Sequence, residues 1–174
     1  MRDETAGRDV KGKPGMLERP VAASVVIVVE SGGRYLMTEE ERGGKSGPVW
    51  YFPSGALEPH ETLADAGRRE VREETGYDVE PTAVVAIDHG AFTEPSGLLW
   101  WRIVVAARLK TGNRQAVNEP DILCVEWVNV DQLDRLALRS GDARWLCERA
   151  RSGPGLPLDA CRLSLNGRLE GFFA

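Results

Sequence analysis

The chain has 174 residues, of which 42% are hydrophobic and 28% charged, and its formal net charge is −5. This length and composition are typical of a single soluble globular domain with one sizeable core. The negative charge argues against a polymeric nucleic acid as partner, because proteins that bind it usually present a basic surface. The longest apolar run, Val21 to Val29, is too short to cross a bilayer, so we expect no membrane association.

The start of the chain and the cysteines indicate where the protein works. Residues 1 to 19 are charged and glycine-containing, which predicts a loosely ordered tail before a single domain covering residues 20–174. The start has no apolar region of signal-peptide type. Cys124, Cys147 and Cys161 lack metal-binding spacing, and reduced thiols are the simplest interpretation. We therefore expect a cytoplasmic protein.

The first third of the domain favours strands. Val21–Glu30 and Arg34–Glu40 are predicted strands, joined by a hairpin turn at residues 31–33. A polar, glycine-rich loop follows. Residues 50–52 (Trp-Tyr-Phe) then resume an extended segment that runs into Pro53.

A helix is predicted next, over Leu63 to Thr75. Thr62 is a suitable N-cap with Asp65 as its capping partner, the segment contains no proline, and Gly76 follows where a left-handed residue commonly ends a helix. At 100° per residue one side of this helix carries both apolar and acidic residues. Its members are Leu63, Ala66, Gly67, Glu70, Val71 and Glu74, with Glu73 at the margin and Asp65, Arg68, Arg69 and Arg72 mostly opposite.

The rest of the chain alternates strands with helical segments. Further strands are predicted at Asp78–Asp88, Leu98–Leu109 and Ile122–Val130, and helical segments at Asp131–Leu136 and Asp142–Arg151. The final stretch, residues 156–174, is ambiguous, and a strand covering the core is one interpretation. Strands around a central helix, with a second helix near the end, predict a mixed α/β domain.

The acids of the predicted helix need an explanation. Glu70 lies three residues before Glu73 and four before Glu74, so their carboxylates crowd one another. At about 4 Å and an effective dielectric near 20, each like-charged pair costs roughly 4 kcal/mol. A divalent cation such as Mg²⁺ or Mn²⁺, which prefers hard oxygen ligands, resolves this conflict. The alternative for a lone pair of glutamates is a solvated acidic face.

Seven residues at fixed offsets carry the strongest signal in the chain. They are Gly55, Glu61, Arg69, Glu70, Glu73, Glu74 and Gly76, with apolar Val71 and Tyr77 at two further set positions. Each of these residue types makes up about 6–7% of ordinary sequence, so chance produces the pattern at roughly 10⁻⁹ per starting point. The segment Gly55–Tyr77 resembles the complete box of the Nudix hydrolase family. The resemblance implies an α/β/α sandwich with a mixed β-sheet, in which the box forms a loop, a helix and a loop. It also implies a metal-dependent hydrolase that cleaves nucleoside diphosphates linked to another group.

The resemblance also assigns roles within the box. Glu70 and Glu74 match the family's metal-binding carboxylates, and Glu73 matches the third acid, which binds the Mg²⁺ or Mn²⁺ directly or through water. Gly55 would offer its backbone carbonyl to the cation. Arg69 matches a residue that orients these acids, and Glu61 one that organises the loop and helix.

The base that receives the proton of the attacking water is often outside the box in this family, on a loop before a late strand. Two acids of this chain occupy that region, Asp121 and Glu119, and Asp121 is slightly preferred. A box glutamate, Glu73 or Glu74, can serve instead. An ordinary acidic loop is the competing interpretation of Asp121 and Glu119.

The substrate is expected to be a small-molecule nucleotide. Trp50, Tyr51 and Phe92 are candidates to stack on a base, although such residues are more often core. The general resemblance leans towards members that act on damaged or oxidised nucleotides. ADP-ribose, nucleotide sugars and dinucleoside polyphosphates stay open, and so does a module that senses a nucleotide without cleaving it. Many members of the family dimerise, and the sequence does not decide between a monomer and a homodimer.

Overall fold

The computed structural model describes residues 21–41, 47–91, 99–112, 114–115, 117, 119–153, 155–161, 164–165 and 168–169. The predicted tail and Phe92 lie outside these ranges. The strands are β1 (Val21–Ser31), β2 (Arg34–Glu40), β3 (Val49–Tyr51), β4 (Ser54–Ala56), β5 (Asp78–Ala91), β6 (Leu99–Thr111), β7 (Ile122–Asn129), β8 (Leu156–Pro157), β9 (Ser164–Leu165) and β10 (Arg168–Leu169). The helices are α1 (Leu63–Thr75) and α2 (Ala143–Ser152), with short 3-10 helices at Val130–Arg135 and Leu158–Ala160.

The main sheet is mixed. Its strands follow the order β3-β2-β1-β6-β5-β8, while β4 pairs with β1 and β7 pairs with β2. Strands β1 and β6 run parallel over ten residue pairs, from Val21–Leu99 to Glu30–Arg108. The other pairings in this sheet are antiparallel.

Strand β1 lies at the centre of the domain and is buried on both faces. Val25, Ile27 and Val29 pack in one cluster with Ala66 and Val71 of α1. The alternate residues Val26 and Val28 pack in a second cluster with Leu146 and Cys147 of α2. A continuous run of β-branched residues is what a strand covered on both faces requires. The result is the predicted α/β/α sandwich, with α1 on one face of the sheet and α2 on the other.

The helix that carries the acids begins and ends where the sequence predicts. Thr62 Oγ1 accepts a hydrogen bond from the Asp65 N–H at 3.1 Å, and Asp65 in turn accepts from the Thr62 N–H at 3.4 Å. Gly76 closes the helix in the left-handed conformation, with φ +74°. The same local rules predict the β1–β2 hairpin, whose turn holds Gly32 and Gly33 at φ +59° and +78°.

Other elements differ in detail from the prediction. The segment predicted as helical at 131–136 is a 3-10 helix, and β4 was not predicted at all. The final stretch does supply a strand that pairs with β5, at Leu156–Pro157. Within the described ranges, no helix is long and apolar enough to cross a membrane.

Candidate active site

A cavity of about 670 Å³ opens where α1, β4 and the ends of β2 and β7 meet. Its lining is strongly acidic and comes from separate parts of the chain. The lining residues are Glu40, Glu41, Ser54, Arg69, Glu70, Glu73, Glu74, Glu119, Asp121, Ile122 and Arg139. Among the described residues, seven carboxylates therefore face one space with two guanidinium groups, and these side chains together carry a negative charge.

Helix α1 supplies three of these carboxylates at different depths. Glu70 is buried, Glu74 is partly buried, and Glu73 is exposed, with 52% of its side chain accessible. The order follows from the helical repeat, because Glu70 and Glu74 share the face that packs on the sheet while Glu73 is turned towards its edge. The acids are thus positioned by the same stripe that buries Ala66 and Val71.

Strand β4 brings the backbone of the box loop against these acids. It pairs antiparallel with β1, with Gly55 opposite Val25. A Cβ atom at Gly55 would lie 2.0 Å from Oε1 of Glu70, so this position accommodates only glycine while Glu70 keeps its place. The neighbouring Ser54 N–H donates a hydrogen bond to Oε2 of Glu74 at 3.2 Å.

Arg69 lies at the centre of the acidic cluster. It forms a bidentate pair with Glu61, at 3.0 and 2.9 Å, and lies 2.7 Å from Glu70 Oε1 and 3.2 Å from Glu73 Oε2. It also donates to the carbonyl of Ala56 at 3.0 Å. The helical repeat predicts that Arg69 lies mostly on the side opposite the acids. Its side chain is long enough to bend around the helix and contact Glu70 and Glu73. In this position it orients the carboxylates of α1 and ties the helix to β4.

The pKa values in the cluster reflect how each acid is compensated. Hydrogen bonds from Arg69 lower the pKa of Glu61. Burial raises the pKa of Glu70, and Arg69 offsets this only in part. Burial, and then the nearby carboxylates of Glu40 and Glu70, raise the pKa of Glu74 to about 9. Glu74 accepts a hydrogen bond from the neutral Ser54 N–H, whereas Glu70 lies beside the Arg69 guanidinium, so burial at Glu74 is less well offset.

These residues fit a divalent cation in their chemistry. In the conformation observed, no three acidic, histidine or cysteine side chains of the described residues converge closely enough to hold a metal ion, and Arg69 bridges Glu70 and Glu73. The donors around the cavity are carboxylate oxygens, which Mg²⁺ and Mn²⁺ prefer. Burial raises the pKa of Glu70 and of Glu74, so both carboxylates lie where a bound cation would stabilise their charges.

Both candidates for the general base line the cavity. Asp121 and Glu119 lie in the segment just before β7. The Asp121 carbonyl accepts a hydrogen bond from the Glu41 N–H at 2.8 Å, and the Glu119 carbonyl accepts from the Ile122 N–H at 3.1 Å. These backbone contacts fix the segment against the end of β2, so the cavity wall combines box residues with acids far from the box.

The aromatic residues of β3 lie elsewhere. Trp50 is 9% exposed and Tyr51 1% exposed, and both belong to the core cluster on the α2 side. The hydroxyl of Tyr51 accepts a hydrogen bond from Arg102, which also pairs with Asp88 and Asp142. Burial therefore argues against the prediction that Trp50 and Tyr51 stack on a base. From the sequence alone, an extended run of aromatic residues is equally compatible with a core position and with a binding surface.

The structure adds cavity residues that the motif does not include. Glu40 is a buried acid at the end of β2, and Arg139, in the segment before α2, lies 3.6 Å from it. Glu40 comes four residues after Leu36 in β2, which places it on the same face of the strand. Leu36 packs on the α1 side. An acid at an inward position of an apolar strand is a sequence signal that would have identified Glu40. Arg139 offers no such signal, because only the fold brings it to the cavity.

One residue of the loop before α1 has an unusual backbone conformation. His60, next to Glu61, adopts φ +73°. This left-handed conformation favours glycine and is uncommon for a residue with a side chain. The loop before Glu61 thus keeps the conformation that a glycine would take, with some strain.

Comparisons with known proteins agree with this site. The sequence profile of the NUDIX domain matches residues 18–148. Phosphatase NudJ of Shigella boydii serotype 4 (strain Sb227) is 30% identical over 137 residues, which cover 78% of this chain and 87% of that protein. A solved NUDIX hydrolase from Nitrosomonas europaea has a TM-score of 0.73 at 25% identity and covers 84% of this chain and 98% of its own. An ADP-ribose pyrophosphatase from Streptococcus suis 89-1591 has a TM-score of 0.58 at 22% identity, covering 77% of this chain and 95% of its own, a likeness that shows the fold alone.

The family assignment therefore has three independent sources. The profile match spans the box and most of the sheet, the relative from Shigella boydii is similar over most of both chains, and the fold matches solved members. The chain belongs to the NUDIX hydrolase family.

Proposed function

We propose that this protein is a Mg²⁺- or Mn²⁺-dependent pyrophosphohydrolase that cleaves the phosphoanhydride bond of a nucleoside diphosphate linked to another group. The observation that carries the proposal is the acidic cavity, where the box glutamates of α1 meet Glu119 and Asp121. Structure alone does not require so many carboxylates in one space, because their mutual repulsion costs stability. The name of the relative, Phosphatase NudJ, fits a substrate that contains phosphate.

In this proposal the box residues hold the cation. Glu70, Glu74 and the carbonyl of Gly55 would bind it, and Glu73 would do so directly or through water. Arg69 and Glu61 keep these carboxylates oriented through the contacts described above. When bound, the metal ion neutralises charge on the phosphate oxygens and lowers the pKa of coordinated water.

An acidic side chain of the protein then accepts the proton of the attacking water. Water attacks one phosphorus atom in line with the departing oxygen, so one P–O bond forms as the anhydride P–O bond breaks. Asp121 accepts the proton of the attacking water, with Glu119 or a box glutamate, Glu73 or Glu74, as the alternatives. The two products each keep one side of the broken anhydride, and one of them retains the nucleoside.

The thiols support a cytoplasmic setting. Cys124, Cys147 and Cys161 are free cysteines. Burial raises the pKa of the Cys147 thiol to about 12, which keeps it inert. Free thiols are typical of the reducing cytoplasm, and a soluble nucleotide substrate is available there. A monomer and a homodimer are both compatible with the proposal.

The test is a substrate panel assayed with Mg²⁺ or Mn²⁺ and with chelator. The panel contains oxidised nucleoside di- and triphosphates, ADP-ribose, nucleotide sugars and dinucleoside polyphosphates, and the products are identified. We expect Glu74→Gln to lose at least about 100-fold in kcat/KM, since it removes a charged ligand. Glu80→Gln, an exposed acid paired with Arg68, is the control that keeps full activity. Equal, metal-independent rates in wild type and Glu74→Gln would refute the proposal.

A further inference from the structure

Arg139 lies on a wall of the cavity that the box does not form. Its backbone N–H donates to the carbonyl of Trp50 at 3.0 Å, and the Trp50 N–H donates to the carbonyl of Ala137 at 2.8 Å. These bonds attach the segment before α2 to β3 as a short parallel bridge between Trp50 and Leu138. The position of Arg139 is therefore fixed by the sheet.

The guanidinium of Arg139 is held over the cavity from three sides. Its Cζ lies 5.0 Å from the centroid of the Tyr51 ring, Nη1 donates to Ser54 Oγ at 3.2 Å, and Glu40 Oε2 lies 3.6 Å away. About 31% of the side chain is exposed. An arginine supported by an aromatic face and a carboxylate keeps its orientation at low entropic cost when a ligand arrives.

Arg69, the other arginine among the described lining residues, is fully engaged by the protein. A guanidinium has five N–H groups. The contacts of Arg69 account for all five: Nε donates to Glu61, Nη1 to Glu70 and Glu73, and Nη2 to Glu61 and Ala56. Arg69 can bind a substrate only by giving up a contact that orients the box acids.

A diphosphate entering this cavity needs positive charge beyond what the box provides. Seven carboxylates from the described part of the chain line the space, and any cation bound by the α1 acids is directed at one part of the substrate. Arg139 lies near the α1 acids, because Ser54, which accepts from Arg139 Nη1 at 3.2 Å, donates its backbone N–H to Glu74 Oε2 at 3.2 Å. Its planar fork suits two oxygens of one phosphate, which makes arginine a preferred partner for this group.

We propose that Arg139 binds a phosphate group of the substrate in this cavity, positioned by Tyr51 and Glu40. This inference rests on the proposed function, because it assigns a partner to the diphosphate of that substrate. It also gives the buried residues Tyr51 and Glu40 a role in the site, through Arg139.

The test measures binding of two probes by titration calorimetry: Mn²⁺ alone, and inorganic pyrophosphate in the presence of Mg²⁺. We expect Arg139→Gln to weaken pyrophosphate binding by about 10- to 100-fold, the range for loss of a hydrogen bond to a charged group. Its affinity for Mn²⁺ alone does not fall, because removing a nearby positive charge cannot disfavour a cation. The matched control is Arg144→Gln. Arg144 lies on α2 and forms an exposed ion pair with Asp134, so we expect this variant to bind both probes as the wild type does.

Arg139→Lys separates recognition from folding. It keeps the charge but loses the fork, so we expect intermediate pyrophosphate affinity, a raised KM and a smaller change in kcat. Parallel loss of Mn²⁺ and pyrophosphate binding in both variants would mean that Arg139 is only structural, and would overturn the inference. Wild-type pyrophosphate affinity in Arg139→Gln, or no pyrophosphate binding by the wild type, would overturn it as well. If the wild type binds pyrophosphate through Arg139 but turns over no nucleotide, the proposed function fails while this inference stands.

Discussion

Gly55 and Glu70 approach so closely that a Cβ atom on Gly55 would lie 2.0 Å from Oε1 of Glu70. Strand β4 and helix α1 are thereby placed with no space between the box loop and the deepest box carboxylate. The glycine of the motif and the glutamate fifteen positions later form one packed unit, and this contact explains why the motif needs both.

The Gly55→Ala substitution tests that contact. The added methyl meets the end of a side chain and not the backbone, so the fold can adapt by moving the Glu70 carboxylate. We expect a loss of stability of only about 1–2 kcal/mol, but a clear loss of Mn²⁺ affinity and activity. Gly112→Ala is the control, since a Cβ there meets nothing within 4 Å. Unchanged Mn²⁺ binding in Gly55→Ala would show that the position of Glu70 does not matter to the cation.

The role of Arg69 as counter-ion can be measured without activity. In metal-free protein, Arg69→Gln leaves Glu61, Glu70 and Glu73 without their shared cation. We expect a loss of unfolding free energy of about 3 kcal/mol, partly restored by Mg²⁺. Arg68→Gln on the same helix, whose pairs with Asp65 and Glu80 are exposed, should cost at most about 1 kcal/mol. Denaturant unfolding with and without Mg²⁺ measures these free energies. Equal losses of unfolding free energy in Arg69→Gln and Arg68→Gln would contradict the counter-ion role.

Asp121 and Glu119 can be distinguished by their effect on the chemical step. We expect Asp121→Asn to lower kcat by about 10²–10⁴, with KM little changed. Glu119→Gln should have a smaller effect. The reverse order would assign the proton to Glu119, and retention of full kcat in both variants would return the role to a box glutamate.

Tyr51 gives a pH dependence of stability. Burial, followed by the Asp142 carboxylate, raises its pKa from the ordinary value of 10.0 to about 12. Between these values the folded protein keeps a proton that the unfolded chain releases, so this contribution is complete below pH 10 and is lost as the pH rises towards 12. The slope from one proton is at most about 1.4 kcal/mol per pH unit. This contribution is measured by comparing the unfolding free energies of wild type and Tyr51→Phe between pH 10 and 12. The same pH dependence in both proteins would rule it out.

Local chemistry explains what the sequence predicts well. Helix α1 follows from Thr62, Asp65 and Gly76, each of which acts within a few residues, and the acidic stripe follows from the helical repeat. Strand β1 follows from its β-branched run. These features need no knowledge of the tertiary structure, and the structure confirms the predicted bounds of α1 and the sandwich.

Long-range packing explains what the sequence does not predict. Strand β4 has little β-propensity in its Ser-Gly-Ala sequence and exists because β1 pairs with it. Arg139 reaches the cavity only through the bridge to β3. Trp50 and Tyr51 are extended aromatics whose burial depends on α2 and the 3-10 helix before it.

The most direct test of the account is a crystal soaked in Mn²⁺ and measured at the anomalous edge of manganese. The account predicts an anomalous peak in the acidic cavity, within ligand distance of Glu70, Glu74 and the Gly55 carbonyl. A cavity without such a peak at saturating Mn²⁺, with those carboxylates turned to solvent, would contradict it.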